Sequence, residues 1–279
     1  MIQFLVEPLT YDFIVRGILA AVIVGITCGV IGCYVVLKSL AFMGDALAHA
    51  ILPGVAVAYL LSFNLLIGAL AAALLVALGI GYISRRGDLR EDTAIGILFA
   101  GSLALGVALI SSIRTYAVDL NHILFGNVLG VSNQDLMIVT ILAMVVISTI
   151  LILYRAFLLI SFDTILARTL FLPVEALRYL LLVLLALTIV ISLQTVGIGL
   201  VTALLVTPAA SAYLVTRRLP AMMVVSASVG AFSGILGIYL SFYLGVSSGA
   251  AIVLVATTIF FLAFLFAPQR GLIWQRRRS

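Results

Sequence analysis

The stretch GILAAVIVGITCGVIGCYVVL, residues Gly17 to Leu37, decides the fold, because it contains no charged side chain. A transmembrane helix needs about 20 predominantly apolar residues to cross the hydrocarbon core of a bilayer. Further charge-free runs of similar or greater length follow along the chain. We therefore predict an all-α polytopic membrane protein in which residues 1–279 form a single transmembrane domain.

The composition of the chain agrees with this prediction. Hydrophobic residues make up 65% of the sequence and charged residues only 9%, against about 25% charged residues in a soluble domain. The apolar runs are continuous, whereas the strands of a membrane β-barrel alternate between apolar and polar residues. The net charge is +5, and the arginines cluster at the ends of the runs, as in cytoplasmic loops. The basic charge therefore indicates membrane topology and argues against a nucleic-acid partner.

The apolar runs predict nine segments, or eight spans and one half-length or re-entrant segment. The charge-free run from Ala50 to Ser84 is too long for one helix, and the turn at Ser62–Asn64 divides it. The first of the two resulting spans must begin near Ser39 to be long enough. Each of the runs 178–216 and 219–269 accommodates two spans. With the arginine-rich loops inside, the N-terminus lies outside and the C-terminus lies in the cytoplasm.

The span that begins near Ser39 contains two ionisable residues, Asp45 and His49, within GDALAHA. Residues four apart lie on one face of a helix. At a rise of 1.5 Å per residue, Asp45 lies roughly 9 Å and His49 roughly 15 Å below the start of the span, so His49 is close to the midplane. An ionisable residue at this depth costs about 3 kcal/mol on insertion scales and faces a cavity, a partner or an ion.

Three interpretations of this pair stay open from the residues alone. The two side chains could satisfy each other and a neighbouring helix, relay protons, or bind a divalent metal ion. A carboxylate and an imidazole together suit Mn²⁺, Fe²⁺ or Zn²⁺, and the lack of thiolates argues against Cu(I). Two ligands from one helix are too few to hold a metal ion. A two-fold dimer would supply a second aspartate and histidine and complete four ligands.

Other candidate residues carry weaker signals. Cys28 and Cys33 lie in one apolar run and are predicted to be inert buried thiols. His122 lies near Asp119 and Asn121 in a loop predicted to be outside. We interpret it as a surface histidine, with a secondary metal contact near the entry as the alternative.

The largest predicted cytoplasmic piece, residues 156–178, contains SFDTILARTLFLP. On one helix, Phe162, Ile165, Leu166 and Thr169 share a face, Asp163 and Arg168 lie on other sides, and Pro173 ends the helix. This helix either docks on a cytoplasmic partner or is an idle surface helix. No GxxxxGK[ST] or HExxH motif occurs, so we expect no enzymatic activity, and any ATP must bind another subunit.

Six segments, taken in order, resemble the membrane permease subunits of manganese/zinc/iron ABC importers. They are VVLKSLAFMGDALAHAILPGVA, REDTAIGILFA, LFGNVLGVS, FDTILARTLFLP, SLQTVGIGLVTALLVTPAASAYL and SSGAAIVLVATTIFFLAFLFAP. The resemblance covers nearly the whole chain and implies the fold of an ABC importer permease in a bacterial cell membrane. It also implies that Asp45 and His49, from both protomers of a homodimer, coordinate the transported ion.

The resemblance further implies two cytoplasmic ABC ATPase subunits and an extracytoplasmic metal-binding solute-binding protein as partners. The chain itself would hold no cofactor, and ATP would be bound by the ATPase subunits. The cargo implied is a divalent transition metal, manganese or zinc ahead of iron. The residues implied in coupling to the ATPase are Phe162, Asp163, Ile165, Leu166, Arg168 and Thr169.

Two alternative functions differ in mechanism or cargo. A secondary transporter driven by a proton or ion gradient would need no ATPase, and Asp45 and His49 would relay protons. A permease for an iron–siderophore or cobalamin would need a wide cavity. The chain also departs from the family pattern at Phe171 in TLFLP, where glycine is usual. We therefore expect an altered helix end at this position.

Overall fold

The computed structural model describes residues 6–86, 91–112 and 128–267, and the regular elements within those ranges are helices. Two short 3₁₀ turns, Glu7–Thr10 and Val128–Gly130, accompany the α-helices. The α-helices are α1 (Asp12–Leu37), α2 (Ala41–Ala50), α3 (Leu52–Leu60), α4 (Leu65–Arg86), α5 (Glu91–Ser111), α6 (Asn133–Ile152), α7 (Tyr154–Phe162), α8 (Thr164–Thr169), α9 (Val174–Val196), α10 (Ile198–Val215), α11 (Leu219–Leu244) and α12 (Ser248–Phe266).

Eight stretches of the described chain are long and apolar enough to cross a membrane. Helices α2 and α3 together make one of them, Ala41–Leu60, while Val201–Val215 within α10 is a shorter apolar helix. The prediction of eight spans and one shorter segment is therefore confirmed for the described residues, and the chain is a multi-pass membrane protein. The span from Ala41 to Leu60 contains Asp45 and His49, as predicted.

Two interruptions shape these helices. Between α2 and α3 the break falls at Ile51, two residues before Pro53. Proline lacks a backbone N–H, and its ring clashes with the carbonyl four residues earlier, so the α-helical hydrogen bonding cannot run through it unchanged. Between α9 and α10 the chain passes through Gly197 at φ +85°, a conformation that a side chain would oppose.

Helix α1 lies at the centre of the bundle and packs against α6, α9, α10 and α11. A Cβ atom added to Gly25 would lie 2.5 Å from the carbonyl oxygen of Gly230, and one added to Gly29 would lie 2.8 Å from that of Ser226. The Ser226 hydroxyl also donates to the Gly29 carbonyl at 2.8 Å. Small residues let helices in lipid approach until their backbones touch, and α1 and α11 are joined in this way.

Charged residues meet at the end of the bundle where α4 ends and α9 begins. Glu175, in the first turn of α9, lies 3.5 Å from Arg168 of α8 and 4.0 Å from Arg85 of α4. Next to these pairs, Arg178 donates to the Ser84 hydroxyl at 2.9 Å. The last turn of α4 and the segment between α6 and α9, which was predicted to be cytoplasmic, therefore lie together at one end of the described bundle.

The segment between α6 and α9 differs from the single helix predicted for it. Asp163 is extended, at φ −147° and ψ 99°, and separates α7 from α8. Its carboxylate accepts hydrogen bonds from the backbone N–H groups of Ile165 and Leu166, both at 2.9 Å, because an aspartate at the N-cap satisfies the free amides of the first turn. The prediction that Phe162 and Ile165 share one continuous helix is therefore wrong.

The end of α8 is also different from the prediction, because it precedes Pro173. The amide of Leu172 donates to the Ala167 carbonyl and that of Phe171 to the Arg168 carbonyl, which is the hydrogen-bond pattern of a Schellman motif. Phe171 has φ +57°, a conformation that suits glycine and is rare for a bulky residue. Its side chain is 96% exposed, so packing within this chain does not offset the strain.

We expect Phe171→Gly to stabilise the isolated protein. Relief of the left-handed strain is worth roughly 1–2 kcal/mol, and the greater freedom of glycine in the unfolded chain offsets part of it. The expected net gain is about 1 kcal/mol, or a rise in melting temperature of about 2 °C in detergent. Leu170→Gly is the matched control, because Leu170 is also exposed but has φ −86°. A Phe171→Gly protein that melts at or below the wild-type temperature would contradict the strain argument.

Candidate metal site

Helix α2 holds the two ionisable side chains that the sequence singles out. Asp45 and His49 lie one turn apart, with His49 Nε2 3.7 Å from Asp45 Oδ1. The predicted shared face is therefore present. On the buried sides of the same helix lie Met43, Ala46, Leu47 and Ala48, which hold α2 against the rest of the bundle. The sequence thus gives α2 one polar stripe and otherwise apolar contacts.

The pair is not sealed inside the single chain. The side chain of Asp45 is 40% exposed and that of His49 is 28% exposed, although both lie within a stretch apolar enough to span a membrane. A carboxylate facing lipid at this depth would be costly. This face of α2 is therefore expected to meet water, an ion or another chain.

The distance between the two donor atoms is compatible with a shared ion. Carboxylate oxygen and imidazole nitrogen bind a divalent ion such as Zn²⁺ at about 2.1 Å each, so two ligands of one ion are at most about 4.2 Å apart. The observed 3.7 Å between His49 Nε2 and Asp45 Oδ1 falls within this limit. The pair can therefore supply one oxygen and one nitrogen ligand without a change of helix geometry.

Neighbouring helices contact both side chains. The ring of His49 lies edge-on to that of Phe99 in α5, with centroids 5.7 Å apart. The Thr202 hydroxyl of α10 lies 3.4 Å from Asp45 Oδ1. Gly44 packs against α10, since a Cβ atom there would lie 2.8 Å from a methyl carbon of Leu205. An apolar wall and a hydroxyl group thus flank the pair.

The described residues of one chain do not complete a metal site. Within the ranges 6–86, 91–112 and 128–267, no group of three or more His, Cys, Asp or Glu side chains is placed to hold a metal ion. His122, predicted as a surface residue or secondary contact, lies outside the described residues. Cys28 and Cys33 are free and fully buried, away from this pair. Further ligands must come from elsewhere if an ion binds here.

The second candidate region is the exposed apolar surface of α7 and α8, which we call the coupling surface. Ile165 is 76% exposed, and Phe162 and Leu166 are exposed as well. Ala167 is fully buried and faces the bundle. Asp163, Arg168 and Thr169 are exposed, but Asp163 caps α8 and Arg168 contacts Glu175.

The sequence did not predict the contacts of two residues near these regions. Thr202 is 157 residues from Asp45 in the chain, and no local pattern links them. In the sequence, Glu175 follows Pro173 and has the pattern of an ordinary acidic residue in the first turn of a helix. In the structure it lies within ion-pair distance of both Arg168 and Arg85. Long-range contacts of this kind depend on helix packing, which a single sequence does not report.

Known proteins resemble the chain along almost its whole length. It is 48% identical over 276 residues to the manganese transport system membrane protein MntC of Halalkalibacterium halodurans, covering 98% of this chain and 94% of that protein. It is 40% identical over 270 residues to the "Probable iron transport system membrane protein" of Haemophilus influenzae, covering 97% of this chain and 99% of that protein. The relatives thus include proteins named for two different metals.

A solved structure and a family profile agree with these relatives. The structure of PsaBC from Streptococcus pneumoniae in complex with Fab superposes with a TM-score of 0.88 at 38% identity, covering 100% of both chains. Residues 10–267 match the ABC 3 transport family. These matches confirm the resemblance drawn from the sequence motifs and the all-helical permease fold that it implies. The chain is a member of the ABC 3 transport family.

Proposed function

We propose that this chain is the membrane permease through which an ABC importer moves a divalent transition metal ion, with Mn²⁺ as the first candidate. The observation that carries the proposal is the Asp45–His49 pair, half-exposed on one face of a membrane helix with its donor atoms 3.7 Å apart. A permanent ion pair would favour a sealed environment, whereas a pathway for a cation needs ligands that the ion can reach and leave.

The choice of metal rests on ligand chemistry and on the relatives. One carboxylate and one imidazole per chain suit Mn²⁺, Fe²⁺ and Zn²⁺ alike. Relatives at 48% and 47% identity are named for manganese transport, and a relative at 40% identity is named for iron transport. Manganese therefore ranks ahead of iron, and Zn²⁺ stays a candidate on chemistry alone.

The incomplete ligand set supports a homodimer. If the exposed faces of α2 met on a two-fold axis, two Asp45 carboxylates and two His49 rings would converge on one ion. Four nitrogen and oxygen ligands match the coordination of a divalent transition metal. The dimer would also remove the polar stripe of α2 from contact with lipid.

The partners follow from the family and from the coupling surface. In this proposal two cytoplasmic ATPase subunits bind ATP, and each contacts the apolar residues Phe162, Ile165 and Leu166, which are exposed in the single chain. An extracytoplasmic solute-binding protein delivers the metal ion. This chain performs no chemistry of its own and changes conformation when its partners do.

ATP-dependent uptake is the direct test of the proposal. We expect proteoliposomes that contain the permease and its ATPase subunits, supplied with the solute-binding protein, to accumulate Mn²⁺ only when ATP is available to the ATPase. Mass spectrometry of the purified complex should find a divalent transition metal ion and no chelate.

The alternative functions give different results in the same experiment. Uptake that follows a proton gradient and proceeds without the ATPase would identify a secondary transporter. Uptake of a siderophore or cobalamin, with no uptake of the bare ion, would identify a chelate permease.

A further inference from the structure

We infer that Thr202 positions the Asp45 carboxylate for the transported ion, an inference that rests on the metal permease function proposed above. The hydroxyl of Thr202 donates toward Asp45 Oδ1 from another helix, across 3.4 Å. This contact links α10 to the polar stripe of α2. Thr202 is therefore assigned to the site as a positioning residue, acting through Asp45.

The packing of the two helices fixes the place of this hydroxyl. Thr202 and Leu205 are three residues apart on one face of α10 and both approach Gly44, where an added Cβ atom would lie 3.5 Å and 2.8 Å from their respective methyl carbons. Because Gly44 has no side chain, the first turns of α10 reach α2 beside Asp45. The hydroxyl therefore lies next to the carboxylate as a result of helix packing.

A hydroxyl donor suits a carboxylate that must bind and release a cation. The last torsion of an aspartate side chain has a broad energy minimum, so a half-exposed carboxylate rotates unless a partner holds it. Thr202 restrains the carboxylate through one lone pair of Oδ1, and the other lone pair of Oδ1 and both lone pairs of Oδ2 stay available to an ion. A lysine or arginine at the same place would instead compete with the metal through its charge. The neutral hydroxyl group orients the Asp45 carboxylate without neutralising its negative charge.

The size of the expected effect follows from the length of the contact. Hydrogen-bond partners of metal ligands typically contribute 10- to 100-fold to metal affinity. The Thr202–Asp45 distance of 3.4 Å is longer than the usual 2.7–2.8 Å of an O–H···O bond. An effect of roughly tenfold, at the lower end of that range, is therefore expected.

The test compares Thr202→Val with Thr202→Ser in cells that carry the complete transporter. Thr202→Val replaces the hydroxyl with a methyl group and should raise the Mn²⁺ concentration for half-maximal uptake roughly tenfold, with the maximal rate unchanged. Thr202→Ser keeps the donor and should restore wild-type behaviour. Thr140→Val is the matched control, because Thr140 is also half-buried in a membrane helix and donates within its own helix to the Leu136 carbonyl at 2.7 Å.

Two results would overturn the inference. If Thr202→Val imports Mn²⁺ with the wild-type half-maximal concentration while Asp45→Ala abolishes uptake, Thr202 has no positioning role and the proposed function stands. Wild-type uptake by both Thr202→Val and Asp45→Ala would instead reject the metal site itself.

Discussion

Asp45→Ala is expected to lower metal uptake by more than about 100-fold, because it removes the charged oxygen ligand from both halves of the proposed dimeric site. Loss of a hydrogen-bond partner of a ligand already costs 10- to 100-fold, and loss of the ligand itself should cost more. The variant should still insert and fold, since replacing an ionisable residue with alanine at this depth makes insertion easier. The measurement is Mn²⁺ uptake by cells in which equal amounts of the complete transporter are present.

His49→Ala should be comparably severe, with a difference between metals. Removal of the imidazole nitrogen should reduce Zn²⁺ uptake at least as much as Mn²⁺ uptake, because Mn²⁺ accepts oxygen ligands more readily. Asp12→Asn is the control for loss of a carboxylate, since Asp12 is exposed in the first turn of α1 and far along the chain from α2. Wild-type uptake by both Asp45→Ala and His49→Ala would show that the ion does not pass through this pair.

Leu166→Asp is expected to separate the permease from its ATPase. Leu166 is exposed on the coupling surface beside Ile165, and a carboxylate there would be buried without a partner in an apolar contact. Losing a central apolar contact of an interface typically costs about 2 kcal/mol or more, so we expect the affinity for the ATPase to fall by about 30-fold or more. Co-purification of the two subunits and ATP hydrolysis by the complex measure this loss.

A second exposed leucine provides the control for Leu166→Asp. Leu244 ends α11, which begins beside the arginines at 217 and 218 and crosses the bundle to the opposite end. Leu244→Asp introduces the same charge on an exposed apolar site away from the coupling surface. It should leave ATPase binding unchanged. Equal binding of the ATPase by wild-type and Leu166→Asp permeases would place the coupling contact on another segment.

The parts of the fold that follow from local physics could be predicted from the sequence. The hydrocarbon thickness of the bilayer fixes the length of a spanning helix, so counting apolar runs predicted nine segments, or eight spans and a shorter one. The described residues have the second arrangement. The spacing of Asp45 and His49 likewise predicted a shared helical face. Only the helical repeat is needed for that inference.

The sequence did not predict where α8 begins, because an aspartate can either continue a helix or cap the N-terminus of a new one. The apolar residues from Phe162 to Leu166 fit one helix, but the carboxylate of Asp163 satisfies two backbone amides only if the chain is extended at that residue. At Phe171 we expected an altered helix end, because glycine is usual there, whereas Phe171 adopts the left-handed backbone angle of +57° that glycine favours at a helix end. The Thr202 contact gave no signal, because it depends on how α2 and α10 pack.

The backbone contact between α1 and α11 bears on which parts of the molecule move during transport. Where Gly25 meets Gly230 and Gly29 meets Ser226, no side chain separates the two helices, and a shift of one along the other would drive carbonyl oxygens into backbone carbon atoms. We therefore expect α1 and α11 to move together as one rigid body during transport. Sliding is easier where a flexible side chain forms the contact, as Leu205 does against Gly44. We therefore expect α2 to move more easily against α10 than α1 moves against α11, and a shift of α2 would change the position of Asp45 in the proposed metal site.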